Sequence, residues 1–424
     1  MSEWKEFRLG EIANFIDYRG KTPTKTTSGV PLITAKIVKN GTILSPTEFI
    51  SIDDYPKWMV RGLPKVGDVV LTVEAPLGEV AQIKDASYAL AQRIITIRCK
   101  EGIMDNGYLK YFLQSDKGQQ RLKERETGTT VTGIKSSELK QVLIFAPDLP
   151  TQTSIAEILS SLDDKIELND KINQELENLA QTLFKRWFID FEFPNENGEP
   201  YKSSGGEMVE SELGEMPKGW DVKSLEDIAE LVRGISYRKH ELVSKEDGVP
   251  FVNLKCFALD GTFRQDGLKY FSGKYKDSHV IQSNDILVAV TDLTQDRLVI
   301  GLPIVWQNED FALPSLDVCI IRPHQKILKD FLFYEFKTHR YKSRIIEFAN
   351  GSTVLHLSVK GLETYGIGLP SNDLLIQWSE IVNPILKSIG ENTKENEKLS
   401  KLRDTLLTKL ISGELEVSQF LTNS

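Results

Sequence analysis

Cysteine and histidine are scarce in this 424-residue chain: three cysteines, Cys99, Cys256 and Cys319, and five histidines. The cysteines stand apart, with no CxxC pair or Cys/His cluster, which argues against a disulfide framework or a structural zinc site and predicts buried reduced thiols. His240, His279, His324, His339 and His356 have no metal-ligand spacing. No apolar run approaches about 18 residues and no charged-then-apolar leader opens the chain. The sequence therefore predicts a cytoplasmic protein without a membrane span or signal peptide.

Catalytic motifs are missing as well. Gly20-Lys21-Thr22 lacks the glycine five positions earlier that a phosphate-cradling loop needs. There is no helix-opening GxGxxG, no GxSxG, and no Asn-Pro-Pro-aromatic or Asp-Pro-Pro-aromatic motif of amino-methylating enzymes. Carboxylates are abundant, but none forms a pair whose spacing assigns a role. The chain is expected to catalyse nothing by itself, with no catalytic or metal-ligating residue to name.

What is present is a heptad helix written twice. One apolar seam runs Ile155, Leu159, Leu162, Ile166, Asn169, Asn173, Leu176, Ala180, Leu183, Trp187. The other runs Trp378, Val382, Ile385, Ile389, Asn392, Asn396, Leu399, Arg403, Leu406, Leu410, at an offset of 223. Alternating steps of four and three over this length mark helices that pair as a coiled coil. Paired antiparallel about their midpoints, the seams set Asn169 against Asn396, Asn173 against Asn392 and Trp187 against Trp378. A parallel pairing also matches Asn with Asn, so the layers alone leave the direction open, and the arrangement expected is an antiparallel coiled coil. At about 1.5 Å per residue the seam spans roughly 48 Å, which predicts a rod holding two modules apart. Pro384 predicts a kink near the start of the second helix.

The repeat extends upstream of the helices. From Tyr108 and Phe331 it is gapless: Gly128-Thr129-Thr130-Val131 matches Gly351-Ser352-Thr353-Val354, and Pro147 matches Pro370. Nearer the start of each half the offset wanders. Trp4 matches Trp220 at 216, Gly29-Val30-Pro31 matches Gly248-Val249-Pro250 at 219, and Gly67-Asp68-Val69 resembles Asn284-Asp285-Ile286 at 217. A constant rear and a variable front describe one scaffold carrying two different reading surfaces.

Short β-branched runs alternate irregularly with helical stretches such as Gly107 to Gln120 and Asp330 to Phe348, so the fold class is α+β. The boundaries are a first mixed α/β module at 1–150, a long helix at 151–191, a linker at 192–219, a second module at 220–370, a second long helix at 371–415 and a tail at 416–424. The net charge of −9 is unevenly spread. Residues 1–150 hold 21 Lys+Arg against 18 Asp+Glu and residues 220–370 hold 19 against 20, whereas residues 151–219 hold 6 against 15. The modules are near neutral, so nucleic acid would be bound weakly by charge alone and a partner would supply much of the electrostatics.

Recognition chemistry remains. In the first module Lys21, Lys25, Lys36, Lys39, Arg61 and Lys84 sit among turns and strand ends within reach of phosphates. Gln92, Arg93, Thr129 and Thr130 offer donors for base edges or backbone. The second module offers Arg238, Lys239, Asn253, Lys255, Gln295, Arg297, Ser352, Thr353 and His356. For any single one a solvated cation or a turn-forming hydroxyl is the favoured reading, whereas the Gly-Thr-Thr and Gly-Ser-Thr matches serve equally well as turns anchoring the last strand or as DNA contacts. The aromatic end of the first helix, Phe184-Lys-Arg-Trp187-Phe188-Ile-Asp-Phe191, exceeds what one seam buries. It either packs on a module or docks a partner.

At these residues the chain resembles the specificity subunit of type I restriction-modification systems. The likeness rests on Trp-(x)4-Leu-(x)2-Ile-Ala at both module starts, Leu162-Asp-Asp-Lys-Ile166, and Leu183-Phe-Lys-Arg-Trp-Phe. It continues in Ser211-Glu-Leu-Gly-Glu-Met-Pro-Lys-Gly-Trp and Leu402-Arg-Asp-Thr-Leu-Leu-Thr-Lys-Leu-Ile-Ser-Gly-Glu, and covers nearly the whole chain. The resemblance implies two target-recognition domains, each reading half of a split, asymmetric double-stranded DNA target. It implies helices that set the spacer and dock two methyltransferase subunits, through which motor-nuclease subunits join. No cofactor is then held by this chain; S-adenosylmethionine, ATP and Mg serve the partners. The reading from another class is a two-module protein-binding scaffold that never touches DNA.

Overall fold

The computed structural model describes residues 4–128, 132–283, 285–306 and 311–417. It divides into two compact units, one of residues 1–169 with 394–424 and one of residues 170–393, so the division cuts both long helices near their middle.

The first unit is built on a four-stranded antiparallel sheet in the order Ala13–Asp17, Ile94–Cys99, Val69–Val73, Leu77–Gln82. Its Val69–Val73 strand is buried throughout. Val69, Leu71 and Val73 enter one apolar cluster and Val70 the other, because successive side chains leave opposite faces of a strand. Covering both faces explains why these strands read as continuous apolar runs. A small sheet of Phe49–Ile50, Val30–Ile33 and Ala89–Leu90 and the pair Lys5–Arg8 with Leu143–Ala146 complete it.

The second unit repeats the plan. Its sheet runs Ala229–Arg233, Val318–Pro323, Ile286–Ala289, Pro303–Val305, with Ile286 and Val288 facing one cluster and Leu287 and Ala289 the other. Val249–Val252 joins Lys269–Phe271 antiparallel and Leu313–Pro314 parallel. Asp221–Ser224 pairs with Gly366–Leu369.

Each stretch expected as one helix behind the sheet is two. Asn106–Gln114 and Asp116–Lys123 are separated by Ser115, in extended conformation, whose hydroxyl accepts from Gly118 N at 3.2 Å. Leu328–Glu335 and His339–Ile346 break at Thr338, 223 residues on, which accepts from Tyr341 N at 3.1 Å. A short hydroxyl side chain that satisfies a free amide favours a helix start over a helix interior, which the apolar spacing did not disclose.

The long helices are Leu149–Phe184, continued by a π-helical turn over Lys185–Ile189, and Asn372–Ser412. The second runs unbroken through Pro384. Pro384 and Glu380, whose carbonyl loses its partner, are both exposed, so solvent can take the freed group.

In both units the two helices lie against each other in antiparallel register. In the first unit Asn169 Nδ2 donates to Asn396 Oδ1 at 2.8 Å, and Ile155, Leu159 and Leu410 share one core. In the second, Asn392 Nδ2 donates to Asn173 Oδ1 at 2.9 Å, and the Trp187 and Trp378 rings lie 6.1 Å apart. A parallel pairing would bring Asn169 to Asn392, and it does not occur.

Arg403 is tolerated at a seam position because its guanidinium donates to Asp163 at 3.0 Å. Asp163 also accepts from Lys110 at 2.8 Å and Tyr111 at 2.7 Å. In the second unit Glu177 takes the comparable place, accepting from Lys337 at 2.7 Å and from Tyr334, the repeat mate of Tyr111, at 3.3 Å.

The aromatic end of the first helix is packed within the second unit. Phe184, Trp187 and Phe188 are buried around Trp378, which has no exposed surface, together with Phe331 and Tyr334. The π turn widens the helix there and sets Trp187 and Phe188 on this core side by side. Residues 192–219 are ordered rather than loose: Phe193 stacks on Tyr201 and Trp220, and Met208–Ser211 pairs with Gly214–Pro217.

Candidate nucleic-acid interface

Both units carry the same clamp behind their central strand. Asp68, buried, takes the Arg98 guanidinium at 2.7 Å on both carboxylate oxygens and accepts from Lys65 N, while Arg98 also donates to Leu63 O. Asp285, buried, holds Arg322 at 2.9 and 2.8 Å and accepts from Gln282 N, while Arg322 donates to Val280 O. The two-point fork fixes the loop entering the strand. Sequence reading noticed the aspartates but missed the arginines. Their signal was faint: Ile97-Arg98 and Ile321-Arg322 put a cation near the end of an otherwise apolar strand.

At the opposite end of that strand each unit makes a second contact, with the segment at Gly133 in one and at His356 in the other. In the first unit Glu74 and Thr127 both pair with Gly133, and Ile134 N donates to Val73 O at 3.0 Å. Two guanidinium groups reach this bridge and a third braces the segment that carries one of them. Arg93 lies 3.2 Å from Glu74, Arg19 donates to Ile134 O at 2.8 Å, and Arg61 donates to Asp17 O and Arg19 O at 2.8 Å. Asp17 grips Arg19 in turn. Burial pushes that carboxyl up, but the Arg19 bonds and charge outweigh it and leave it below its ordinary 3.8. Arg19 was not foreseen, because an arginine beside Gly20 in a turn has no distinguishing pattern.

The second unit builds the corresponding edge from a small sheet in which Leu355–Leu357 pairs with Thr291–Asp292 and Ala349–Asn350. His356 stands where Gly133 stands, exposed, its ring nitrogen 3.4 Å from the Thr291 hydroxyl. Asp292 is buried and organises the loop that leaves it: Oδ1 accepts from Thr294 N and Oγ1 at 2.9 Å, and Oδ2 from Val299 N at 2.9 Å and Ile300 N at 3.3 Å. Burial raises its pKa, yet these donors hold it below 3.8. Lys342 donates to Leu298 O at 3.2 Å and to Ile300 O, and burial brings its ammonium down to about 8. Neither residue was singled out from sequence.

The expected recognition residues are dispersed among several sites. Arg61 and Arg93 reach the first edge; Gln295, Arg297, Ser352, Thr353 and His356 lie exposed or bonded at the second, where Gln295 Nε2 donates to Ser352 O at 3.0 Å. Lys25 and Lys36 sit apart, sharing Glu48 at 2.8 and 3.3 Å. Lys21, Lys39, Lys239 and Lys255 are exposed, Gln92 is half-buried, and the Arg238 backbone amide donates to Glu241. Thr129 and Thr130 fall outside the described residues. Two candidates are engaged within the fold. Asn253 is buried, donating to Gly267 O at 2.8 Å and accepting from Lys255 N at 3.0 Å, so its amide holds a loop. Lys84 pairs with Asp164 at 2.9 Å and with Glu167, tying the first module to the long helix.

On the first long helix Leu168 of the first unit is exposed, as are Ile172 and Leu179 of the second unit, which share a face at a spacing of seven; Leu402 is exposed on the second helix. Among the described residues no group of three His, Cys, Asp or Glu is arranged to hold a metal ion, and no helix is long and apolar enough to cross a membrane.

The family described as type I restriction modification DNA specificity domain matches residues 1–178 and 217–401. The type I restriction enzyme MjaIX specificity subunit of Methanocaldococcus jannaschii is 30% identical over 367 residues, covering 85% of this chain and 80% of its own length. The HindI specificity subunit of Haemophilus influenzae is 24% identical, covering 98% of this chain and 100% of its own. In fold the chain is similar to the crystal structure of a type I restriction-modification system S subunit from M. genitalium, with a TM-score of 0.56, 16% identity and 96% of each chain covered.

Proposed function

Because this chain belongs to the family of type I restriction-modification DNA specificity subunits, we propose that it is the sequence-reading subunit of such a complex. Each unit reads one half of a bipartite, asymmetric duplex target. The observation that carries this reading is one chassis with two unlike fronts. Sheet order, Asp–Arg clamp and split helix pair repeat, whereas the front edge is Glu74–Gly133 with Arg93 and Arg19 beside it in one unit and Thr291–His356 with an Asp292-anchored loop in the other. Guanidinium and amide groups on a rigid edge suit base and phosphate contacts.

The long helices set the spacer between half-sites and dock two methyltransferase subunits, which recruit the motor-nuclease. The exposed Ile172 and Leu179 of the second unit, seven residues apart on the first helix, support a docking role. S-adenosylmethionine, ATP and Mg are bound by those partners, and the chain itself contributes no catalytic group. Co-expression with a type I methyltransferase subunit, followed by long-read detection of methyladenine, tests the proposal. Methylation at one split, asymmetric motif is the expected result. A complex that assembles yet gives no sequence-specific methylation, and chains that leave duplex mobility unchanged in shift assays, would instead establish a protein-binding scaffold.

A further inference from the structure

The front edges differ in length at one defined place. In the first unit Val69 pairs with Gln82, 13 residues on; in the second its counterpart Ile286 pairs with Val305, 19 residues on. The bridge partners Glu74 and Thr291 still stand at the offset of 217 that relates Asp68 to Asp285. The six extra residues therefore fall after Thr291 and before the Pro303–Val305 strand, in the loop that leaves Asp292.

That loop is held at three points. Asp292 accepts four hydrogen bonds from Thr294, Val299 and Ile300, Lys342 donates to the Leu298 and Ile300 carbonyls, and Gln295 donates to Ser352 O. Three of its side chains are exposed. Leu293 is 68% exposed and Leu298 54% exposed. Arg297 is exposed with φ +56, a left-handed conformation uncommon for a long side chain, and makes no ion pair among the described residues. A fixed loop with an exposed planar fork flanked by two apolar side chains is preorganised for a groove, where association loses little ordering entropy.

We propose that the loop Leu293–Leu298 is the base-reading element of the second unit, with Arg297 taking the paired acceptors of a guanine edge and Asp292 as its positioning residue. This rests on the DNA-reading function proposed above. Leu293 and Leu298 lie against the neighbouring base or sugar surface, and the six-residue insertion accounts for the second half-site differing from the first.

The test uses the complete chain assembled with the methyltransferase, comparing methyladenine motifs in cells and methylation rates on duplexes changed one base pair at a time. Arg297→Ala is expected to lower the preference for guanine at one position of one half-site by about ten-fold or more, leaving the other half-site unchanged. Arg297→Lys, which keeps the charge but not the fork, is expected to lose most of the same preference. Asp292→Ala should reproduce the loss, and Asp292→Asn should recover part of it, since one amide oxygen can still accept from Thr294. Unchanged discrimination at both half-sites in Arg297→Ala would overturn the inference while leaving the reading function intact. A native complex without sequence-specific methylation would overturn both.

Discussion

The side-chain amide of Asn169, without exposed surface, donates to Asn396 Oδ1 at 2.8 Å and to Glu395 at 2.7 Å, while Asn396 donates to Ile166 O at 3.4 Å. A polar layer of this kind costs stability relative to leucine but penalises any alignment that leaves an amide unpaired. Asn169→Leu alone should destabilise by about 1–3 kcal/mol, because it leaves the half-buried Asn396 Oδ1 and Glu395 without this donor. Asn169→Leu with Asn396→Leu should recover most of that loss. Thermal unfolding of both variants checks it; equal destabilisation would show that the amide pairing does not govern the layer.

Acid should act through Asp163. Burial pushes this carboxyl up, but the Lys110 charge and the hydrogen bonds from Lys110, Tyr111 and Arg403 outweigh it, so its folded value lies below 3.8. A carboxyl depressed on folding contributes stability that is complete above its unfolded value, near pH 4, and is lost as pH falls through the folded value. Asp163→Asn should therefore be less stable by about 3 kcal/mol at neutral pH, since it leaves Lys110 buried and unpaired. The gap to the native chain should narrow below about pH 4. Melting midpoints from pH 7 to pH 3 report both.

Breaking a clamp should be felt within its own unit. Arg322→Met leaves Asp285, with no exposed side-chain surface, as an uncompensated charge, at a loss of about 3 kcal/mol. Arg322→Met with Asp285→Leu should restore much of it. Hydrogen exchange is expected to rise along Ile286–Ala289 in the single variant and to return toward native rates in the double.

The spacer reading makes a geometric prediction. One heptad inserted into each long helix preserves the seam and adds about 10 Å, or roughly three base pairs at 3.4 Å each. The methylated motif should gain that many unspecified positions with both half-sites unaltered. Changed half-site sequences with the old spacing would refute the helices as the ruler.

Duplication and the heptad seams are covalent patterns, so they were legible directly: the 223-residue offset, the Asn layers and the α+β strand runs all correspond to elements present in the structure. The antiparallel pairing was expected, and the folded chain has it, bringing Asn169 to Asn396 and Asn173 to Asn392, although from the layers alone it was not legible, because Asn matches Asn in either sense. Nor was the helix break at Ser115 and Thr338, where a local hydroxyl cap overrides apolar periodicity.

The front edges were the least legible. Arg19, Arg98, Asp292 and Lys342 owe their roles to partners far away in sequence, Arg19 at Ile134 and Lys342 at Leu298, and no local spacing encodes a contact of that kind. Asn253 shows the converse, a promising donor that folding turns inward onto Gly267. Repetition and periodicity belong to the chain, and so they can be read along it. Burial and hydrogen-bond partnership arise only when distant segments meet, and those decide which polar groups hold the scaffold and which are left to face a ligand.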